Sequence, residues 1–262
     1  MLSEYVAVSK MTVAIVLLFL TFTGASIAKD VNIAAGIFLG IIEEDGTGPY
    51  QLILKEAAKR ADVKFSEQVY PLKRAVKMFT NKKVLAIYGM TDAVIEEVGV
   101  DNIITSYPLG AYKVFIFTPK DRPVISSFEQ LQGKRVGGIN GYQPYYQSLV
   151  ENKVDIHYFT HEDQQLERLK LGRIDAIIGF IPDWTPYLDK LHFDAQLPIH
   201  VGYDYMSVWN TPAGQAFVNK ISPALLSMKL DGTLQKILAE RYIDFKYKPA
   251  QKFEWLPIVS RF

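Results

Sequence analysis

Residues 162–181, EDQQLERLKLGRIDAIIGFI, contain the clearest sign of the fold. The first half, 162–171, carries apolar residues at helical spacing. The second half, 176–181, is a short run of mostly apolar residues, which is typical of a strand buried on both faces of a parallel sheet. A helix followed closely by such a strand predicts an α/β protein.

The same alternation continues on both sides of this stretch. Apolar runs such as VLAIYGM (84–90) and YKVFIFT (112–118) predict strands, and amphipathic segments between them predict helices. We expect strands at 31–38, 63–69, 84–90, 112–118, 135–139, 155–159, 176–181 and 201–209. We expect helices at 49–61, 71–79, 127–131, 142–151, 162–171, 182–191, 214–228 and 233–242.

The N-terminal residues 11–28, MTVAIVLLFLTFTGASIA, resemble a secretory signal. The apolar run 13–22 is too short to span a bilayer of about 30 Å, and Ser26 and Ala28 supply small residues for cleavage before Lys29. We therefore predict a signal peptide at residues 1–28 and a periplasmic mature protein. Met11 is an alternative start, and an uncleaved anchor or a buried helix is the alternative structure.

The alternating pattern divides into two α/β units. We predict a first lobe from residues 29–117 and 204–262 and a second lobe from residues 118–203, with two crossings between them. Proteins with two such units bind ligands in the cleft between them. Paired crossings provide a hinge that closes the cleft.

Composition excludes several classes of function. The formal net charge of the 262 residues is +1, and there is no long Lys/Arg cluster, so neither nucleic acid nor a membrane surface is an expected partner. The absence of cysteine excludes disulfides, thiolate catalysis and a lipoprotein anchor. The four histidines form no metal motif, and we expect no metal, no cofactor and no catalytic residues. We expect a monomer.

Five segments, in order, resemble the periplasmic solute-binding proteins of ABC importers, in particular the amino-acid-binding family 3. They are GPYQLILKEAAKRADVKF (48–65), VLAIYGMT (84–91), SSFEQLQGKRVGGINGY (126–142), LKLGRIDAIIGF (169–180) and ISPALLSMKLDGTLQKILAERY (221–242). The resemblance implies a type II two-lobed binding fold, with each lobe a mixed, mostly parallel sheet flanked by helices. It also implies an ABC permease as partner and a small-molecule ligand in the cleft.

The cleft of such a fold is lined by loops at the carboxyl ends of strands. By that rule the ligand-binding candidates of the first lobe are Phe38, Glu43, Tyr70, Arg74, Tyr88, Gly89, Met90 and Thr91. Those of the second lobe are Asn140, Gly141, Tyr142, Gln143, Phe180 and Asp183.

Two positions depart from the amino-acid-binding pattern. The resemblance implies an Arg for the ligand carboxylate where this chain has about Glu96, and an Asp for the ligand ammonium where it has Phe180. An ordinary α-amino acid is therefore not the expected ligand. Arg74 is a substitute for the anion-binding group or a solvated helix residue, and Asp183 is a cation-binding residue or a first-turn helix residue.

The sequence thus predicts a non-enzymatic binding protein that captures a small polar or aromatic solute for import. One alternative is a lyase on the same fold, similar to cyclohexadienyl dehydratase, with Glu43, Glu44 or Glu96 as acid or base. Another is a sensory module that docks on a receptor. The binding chemistry of the sensory module would be the same, so the sequence leaves this choice open.

Overall fold

The computed structural model describes residues 31–38 and 40–247. The predicted signal peptide, the cleavage site before Lys29 and the alternative start at Met11 lie outside the described residues. Within those residues, no helix is both long enough and apolar enough to cross a membrane.

Eleven strands are present in the described part of the chain. They are β1 (Val31–Gly36), β2 (Phe65–Tyr70), β3 (Ala86–Tyr88), β4 (Ile103–Thr105), β5 (Gly110–Pro119), β6 (Arg135–Ile139), β7 (Asp155–Phe159), β8 (Ala176–Ile181), β9 (Leu191–His192), β10 (His200–Asp204) and β11 (Met206–Trp209). The helices are α1 (Pro49–Ala61), α2 (Leu72–Thr80), α3 (Thr91–Val98), α4 (Gln147–Glu151), α5 (Glu162–Lys170), α6 (Pro212–Leu230) and α7 (Thr233–Leu238).

The strands form two separate sheets. The first has the order β2-β1-β3-β11-β4, and the second has the order β10-β5-β8-β6-β7, with β9 paired to the end of β5. In the first sheet β1 is parallel to β2 and β3, whereas β11 is antiparallel to β3 and β4. In the second sheet β6 is parallel to β7 and β8, whereas β5 is antiparallel to β8 and β10. Both sheets are therefore mixed.

The sequence explains where α1, the first helix of the first lobe, begins and ends. α1 begins at Pro49, which suits a first helical position because its missing N–H needs no intrahelical partner. One face of α1 buries Ile53, Leu54 and Ala57 against the sheet and α6. The helix ends at Asp62, which has a left-handed backbone (φ 50°) and closes the last turn.

The chain crosses between the lobes twice, at residues 106–109 and at Tyr205. The two crossings are neighbours, because Leu109 N donates to Asp204 O (2.8 Å) and Ser106 N donates to Met206 O (3.0 Å). The whole of β5, beginning at Gly110, pairs within the second sheet. The predicted start of the second lobe at Thr118 is therefore too late, since the apolar run of β5 gave no sign of which sheet it joins. The second crossing lies beside the predicted boundary at residue 204.

Several elements differ from the prediction, and three of these differences bear on the site. Residues 182–191 form only a 3-10 turn (Thr185–Tyr187) before β9, because Pro186 lacks an N–H and disfavours helical backbone at Thr185. The predicted strand 201–209 is two strands, interrupted at Tyr205 by the crossing. The helix α3 was not predicted, and it begins after Met90, whose backbone is left-handed (φ 59°).

Candidate functional site

A small, partly open cavity of about 30 Å³ lies between the two lobes. Both lobes and the second crossing contribute to it, and its wall is mainly apolar and aromatic. The wall consists of Phe38, Ile41, Ile42, Tyr50, Gly89, Met90, Tyr112, Tyr145, Phe180, Pro182, Asp183 and Asp204.

The first-lobe wall is formed by two turns that follow β1 and β3. Phe38 is bridged to Ile42, which holds the turn after β1 in place. Gly89 and Met90 follow β3 and both have left-handed backbone, with φ of 70° and 59°. Gly89 N also donates to Tyr205 O at the second crossing (3.2 Å), so this turn is attached to the hinge.

The second-lobe wall is a cluster of aromatic rings. Phe180, at the end of β8, lies 5.2 Å from Tyr145 and 5.5 Å from Tyr112, measured between ring centroids. Tyr112 lies across its strand partner Gly202, where any Cβ would overlap the tyrosine hydroxyl. Glycine at position 202 therefore permits the orientation of Tyr112.

The lobes contact each other across the cleft. Phe38 stacks on Tyr142 with a centroid distance of 5.7 Å and an interplanar angle of 18°. Asp92, in α3, accepts a hydrogen bond from Tyr112 Oη (3.0 Å) and lies 3.7 Å from His200 Nε2. These contacts join first-lobe residues to second-lobe residues, so the structure is a closed form with its rings in contact.

Two carboxyl groups lie in the wall. Tyr50 Oη donates to Asp204 Oδ2 at 2.5 Å, whereas no described side chain donates to Asp183. Burial raises the pKa of Asp204 to about 7, partly offset by the Tyr50 hydrogen bond. Burial, followed by repulsion from Asp204 and Glu162, raises the pKa of Asp183 well above its usual value.

Asp92, nearby, behaves in the opposite way. Its pKa is lowered, first by His200 and then by the Tyr112 hydrogen bond, although burial partly opposes the shift. The site therefore contains one carboxylate that is stabilised by neighbours in the other lobe and two carboxyls that face the cavity with little compensation.

Part of the predicted site lies in the wall. Of the predicted residues, the cavity is lined by Phe38, Gly89, Met90, Phe180 and Asp183. Tyr142 is buried behind them and contacts both Phe38 and Phe180. The rule that strand ends line the cleft therefore identified the turns after β1, β3 and β8.

The other predicted residues of the first lobe lie outside the wall. The carboxylate of Glu43 accepts a hydrogen bond from Gly40 N within its own turn (2.6 Å). Tyr88 is fully buried and donates to Glu67 (2.9 Å), and Thr91 is buried beside Ser207. Arg74 is exposed and lies over the ring of Tyr70, 5.2 Å from its centroid. Side chains alternate along a strand, so a residue at a strand end can point into the core instead.

Three predicted residues of the second lobe form an exposed turn at the rim. Gly141 N donates to Gln143 Oε1 (2.7 Å), and Gln143 Nε2 donates to Asn140 Oδ1 (3.1 Å). These hydrogen bonds hold the turn together and leave the three residues outside the wall.

Seven wall residues were not among the predicted ones: Ile41, Ile42, Tyr50, Tyr112, Tyr145, Pro182 and Asp204. Tyr112 lies near the start of β5, and β5 is antiparallel to β8, so its amino end meets the carboxyl end of β8. Tyr145 lies in YQPYYQ (142–147), whose three tyrosines are a local signal that could have identified it. Asp204 gave no signal, because its place depends on where the chain crosses.

The described residues contain no cluster of three or more His, Asp or Glu side chains arranged to hold a metal ion.

Comparison with known proteins supports the architecture. No protein-family model matches the chain. The ABC transporter arginine-binding protein 1 of Escherichia coli (strain K12) is 30% identical over 119 residues, which cover 42% of this chain and 48% of that protein. The match thus spans about half the length of the relative.

Two solved structures share the fold. The probable amino-acid ABC transporter extracellular-binding protein of Bacillus subtilis has a TM-score of 0.66 at 19% identity and covers 81% of this chain and 97% of its own. The ancestral amino acid-binding protein AncCDT-1, a precursor of cyclohexadienyl dehydratase, has a TM-score of 0.64 at 18% identity and covers 82% and 95%. The chain therefore shares the two-lobed fold of these two binding proteins. The predicted two-lobed fold is confirmed.

The chain nevertheless lacks the amino-acid clamp that the sequence resemblance implies. Glu96, at the position where the family pattern implies an Arg, is exposed on α3 and lies outside the cavity wall. Phe180, at the position where the pattern implies an Asp, contributes an aromatic ring to the wall. The walls that remain are aromatic and acidic.

Proposed function

We propose that this protein captures a small polar or aromatic solute outside the cytoplasm and delivers it to an ABC-type permease. The observation that carries the proposal is the cavity whose walls come from both lobes of a hinged pair. A site divided in this way is completed only when the lobes come together, so binding and closure are linked.

The contacts between the lobes indicate how closure works. Phe38 and Tyr142 stack directly on each other across the cleft, and Tyr145 Oη lies 4.0 Å from Met90 Sδ. A solute enters only after these rings separate, and it then replaces part of their contact. The solute must favour the closed form over the open form, because equal affinity for both shifts nothing.

The names of similar proteins support transport. The Escherichia coli relative is named as an arginine-binding protein of an ABC transporter, and the Bacillus subtilis structure as an extracellular-binding protein. Both names agree with the export signal that residues 11–28 predict. The ligand itself is not carried over, because the clamp positions differ.

The three glutamates predicted as acid or base of the lyase alternative lie outside the cavity wall. Glu43 is hydrogen-bonded within its own turn, and Glu44 and Glu96 are exposed. None of the three contributes to the wall. The observations therefore favour binding over catalysis. A sensory role uses the same cavity and is distinguished by a pull-down that recovers a receptor in place of a permease.

We expect the protein to become more compact and more stable when its solute is present. Small-angle scattering with fractionated metabolite pools measures compaction, and thermal unfolding measures stabilisation, which is about 2.7 kcal/mol at a solute concentration of 100 times the Kd. Tyr142→Ala should weaken both responses, because it removes the ring that meets Phe38. Tyr158→Ala, at a half-exposed ring on β7, is the matched control. If no pool compacts the protein, the proposed function is wrong.

A further inference from the structure

The charge on the cavity wall has one sign. Asp183 and Asp204 are its ionisable acids, and none of the described wall residues is Lys, Arg or His. A ligand that brings an anionic group into this cavity would meet two carboxyls and no cation. A ligand with a positive charge would meet groups that compensate it.

The rings of the wall favour a cation for a second, independent reason. Tyr112, Tyr145 and Phe180 are each less than 9% exposed and lie within 6 Å of one another. Aromatic faces attract organic cations through the ring quadrupole, most strongly where water is excluded. Acidic side chains and buried rings thus select the same class of ligand.

Two arginines near the cleft do not restore an anion-binding group to the wall. Arg74 is exposed on α2 over Tyr70. Arg241 acts electrostatically on Asp183, but its guanidinium lies beside Gly40, outside the wall and 3.7 Å from Glu240. An α-carboxylate in the cavity would have no cationic side chain of the wall to bind.

We infer that the cleft is built for a small organic cation that carries no carboxylate group, with Asp183 and Asp204 as its counter-charges. The inference rests on the proposed function, since it names the class of solute that the closing lobes capture. The positive charge of the ligand compensates the negative charge of the two carboxylates, and the rings cover the apolar part of the ligand.

Cation binding should be linked to proton release. Asp204 faces Tyr50 and the charge of Asp92, and Asp183 faces Asp204, Glu162 and Arg241. Since burial raises the pKa of Asp204 to about 7, part of the protein holds a proton on this carboxyl near pH 7, and the pKa of Asp183 is shifted in the same direction. A bound cation stabilises the carboxylates and expels that proton, so affinity should rise from pH 6 to pH 8.

Calorimetric titration with two matched pairs of probes tests the inference. Choline and agmatine are cations without a carboxylate, and betaine and L-arginine are their respective counterparts with one. We expect at least one of the first two to bind at least tenfold more tightly than its counterpart, with proton release seen as a dependence of the heat on buffer ionisation enthalpy. If neither cation binds, or if a carboxylate-bearing counterpart binds as tightly, the inference is wrong.

Variants identify the groups responsible. Asp183→Asn should weaken binding of the cation at least tenfold and reduce proton release, while Asp189→Asn, at an exposed side chain of the same lobe, should change neither. Asp183→Asn removes an uncompensated charge, so the variant should fold. Unchanged affinity in Asp183→Asn would overturn the inference. Compaction by a neutral or anionic solute, with no response to cations, would refute the inference and leave the proposed function standing.

Discussion

Asp204→Asn is expected to be more stable than the parent protein at pH 8 and equally stable near pH 4. The carboxyl of Asp204 is partly buried in the cavity, and its pKa in the folded protein is about 7 against an ordinary value of 3.8. In the folded state it therefore holds its proton to higher pH than it does in the unfolded chain. Between those two values, the free energy of unfolding falls as pH rises.

The size of the effect follows from the difference between the two pKa values. A difference of about three units corresponds to about 4 kcal/mol of lost stability above pH 7. Asparagine carries no charge and still accepts the Tyr50 hydrogen bond, so the variant should recover about 2–4 kcal/mol of this loss at pH 8. Removing the charge also relieves Asp183, which is repelled by Asp204.

Urea unfolding at pH 4, 6 and 8 measures this prediction. Asp92→Asn should change the stability in the opposite direction. His200 and Tyr112 lower the pKa of Asp92, so folding favours its charged form. Its variant should lose stability at pH 8 relative to the parent. A gain in Asp204→Asn that is constant from pH 4 to pH 8 would contradict the charge explanation and indicate a packing effect.

Gly179→Ala should reduce the stability of the protein more than Gly137→Ala, a similar substitution in the second lobe. Gly179 lies in β8 directly beneath the indole of Trp184, and a Cβ there would overlap the ring and lie 2.8 Å from its Cγ. The indole is buried and packed between Phe117 and Tyr187, so it cannot yield without moving its own backbone. We expect a cost of about 3 kcal/mol.

The damage should extend to the binding site. Trp184 N donates to Phe180 O (2.8 Å), and this turn carries Asp183 into the cavity. Displacing the indole therefore displaces a wall residue, and solute affinity should fall together with stability. Tryptophan emission and urea unfolding report the two changes at the ring and in the whole protein.

Gly137→Ala in β6 is the matched control. A Cβ there meets the terminal Cδ1 of Ile174 at 2.7 Å, and that methyl group can rotate away. We expect a loss of about 1 kcal/mol or less. Equal losses in the two variants would show that rigidity of the Trp184 ring is not the cause.

The sequence predicted the elements whose signal is local. Four of them, α1, β6, β7 and β8, have the predicted bounds, because proline at a helix start or a bounded apolar run fixes the ends of each. The helix at 182–191 was wrong because Pro186 outweighed a helical pattern of apolar residues. The prediction that placed β5 in the first lobe was wrong, because the partner of a strand is set by residues distant in the chain.

The sequence predicted only part of the site, again because a local pattern does not show how distant residues pair. Phe38, Gly89, Met90, Phe180 and Asp183 follow buried strands and lie in the wall. Tyr88 and Thr91 adjoin the same turn but are buried in the core; alternation of side chains along β3 accounts for Tyr88, and Thr91 is the first residue of α3. Tyr50, Tyr112 and Asp204 enter the wall through tertiary pairing, which no local pattern reveals.

Asp204 takes part both in the cavity wall and in the connection between the two crossings. Its backbone oxygen accepts a hydrogen bond from Leu109 N and so joins one crossing to the other, while its side chain lines the cavity. The residue whose charge changes with pH near neutrality is therefore also the residue that ties the two crossings together.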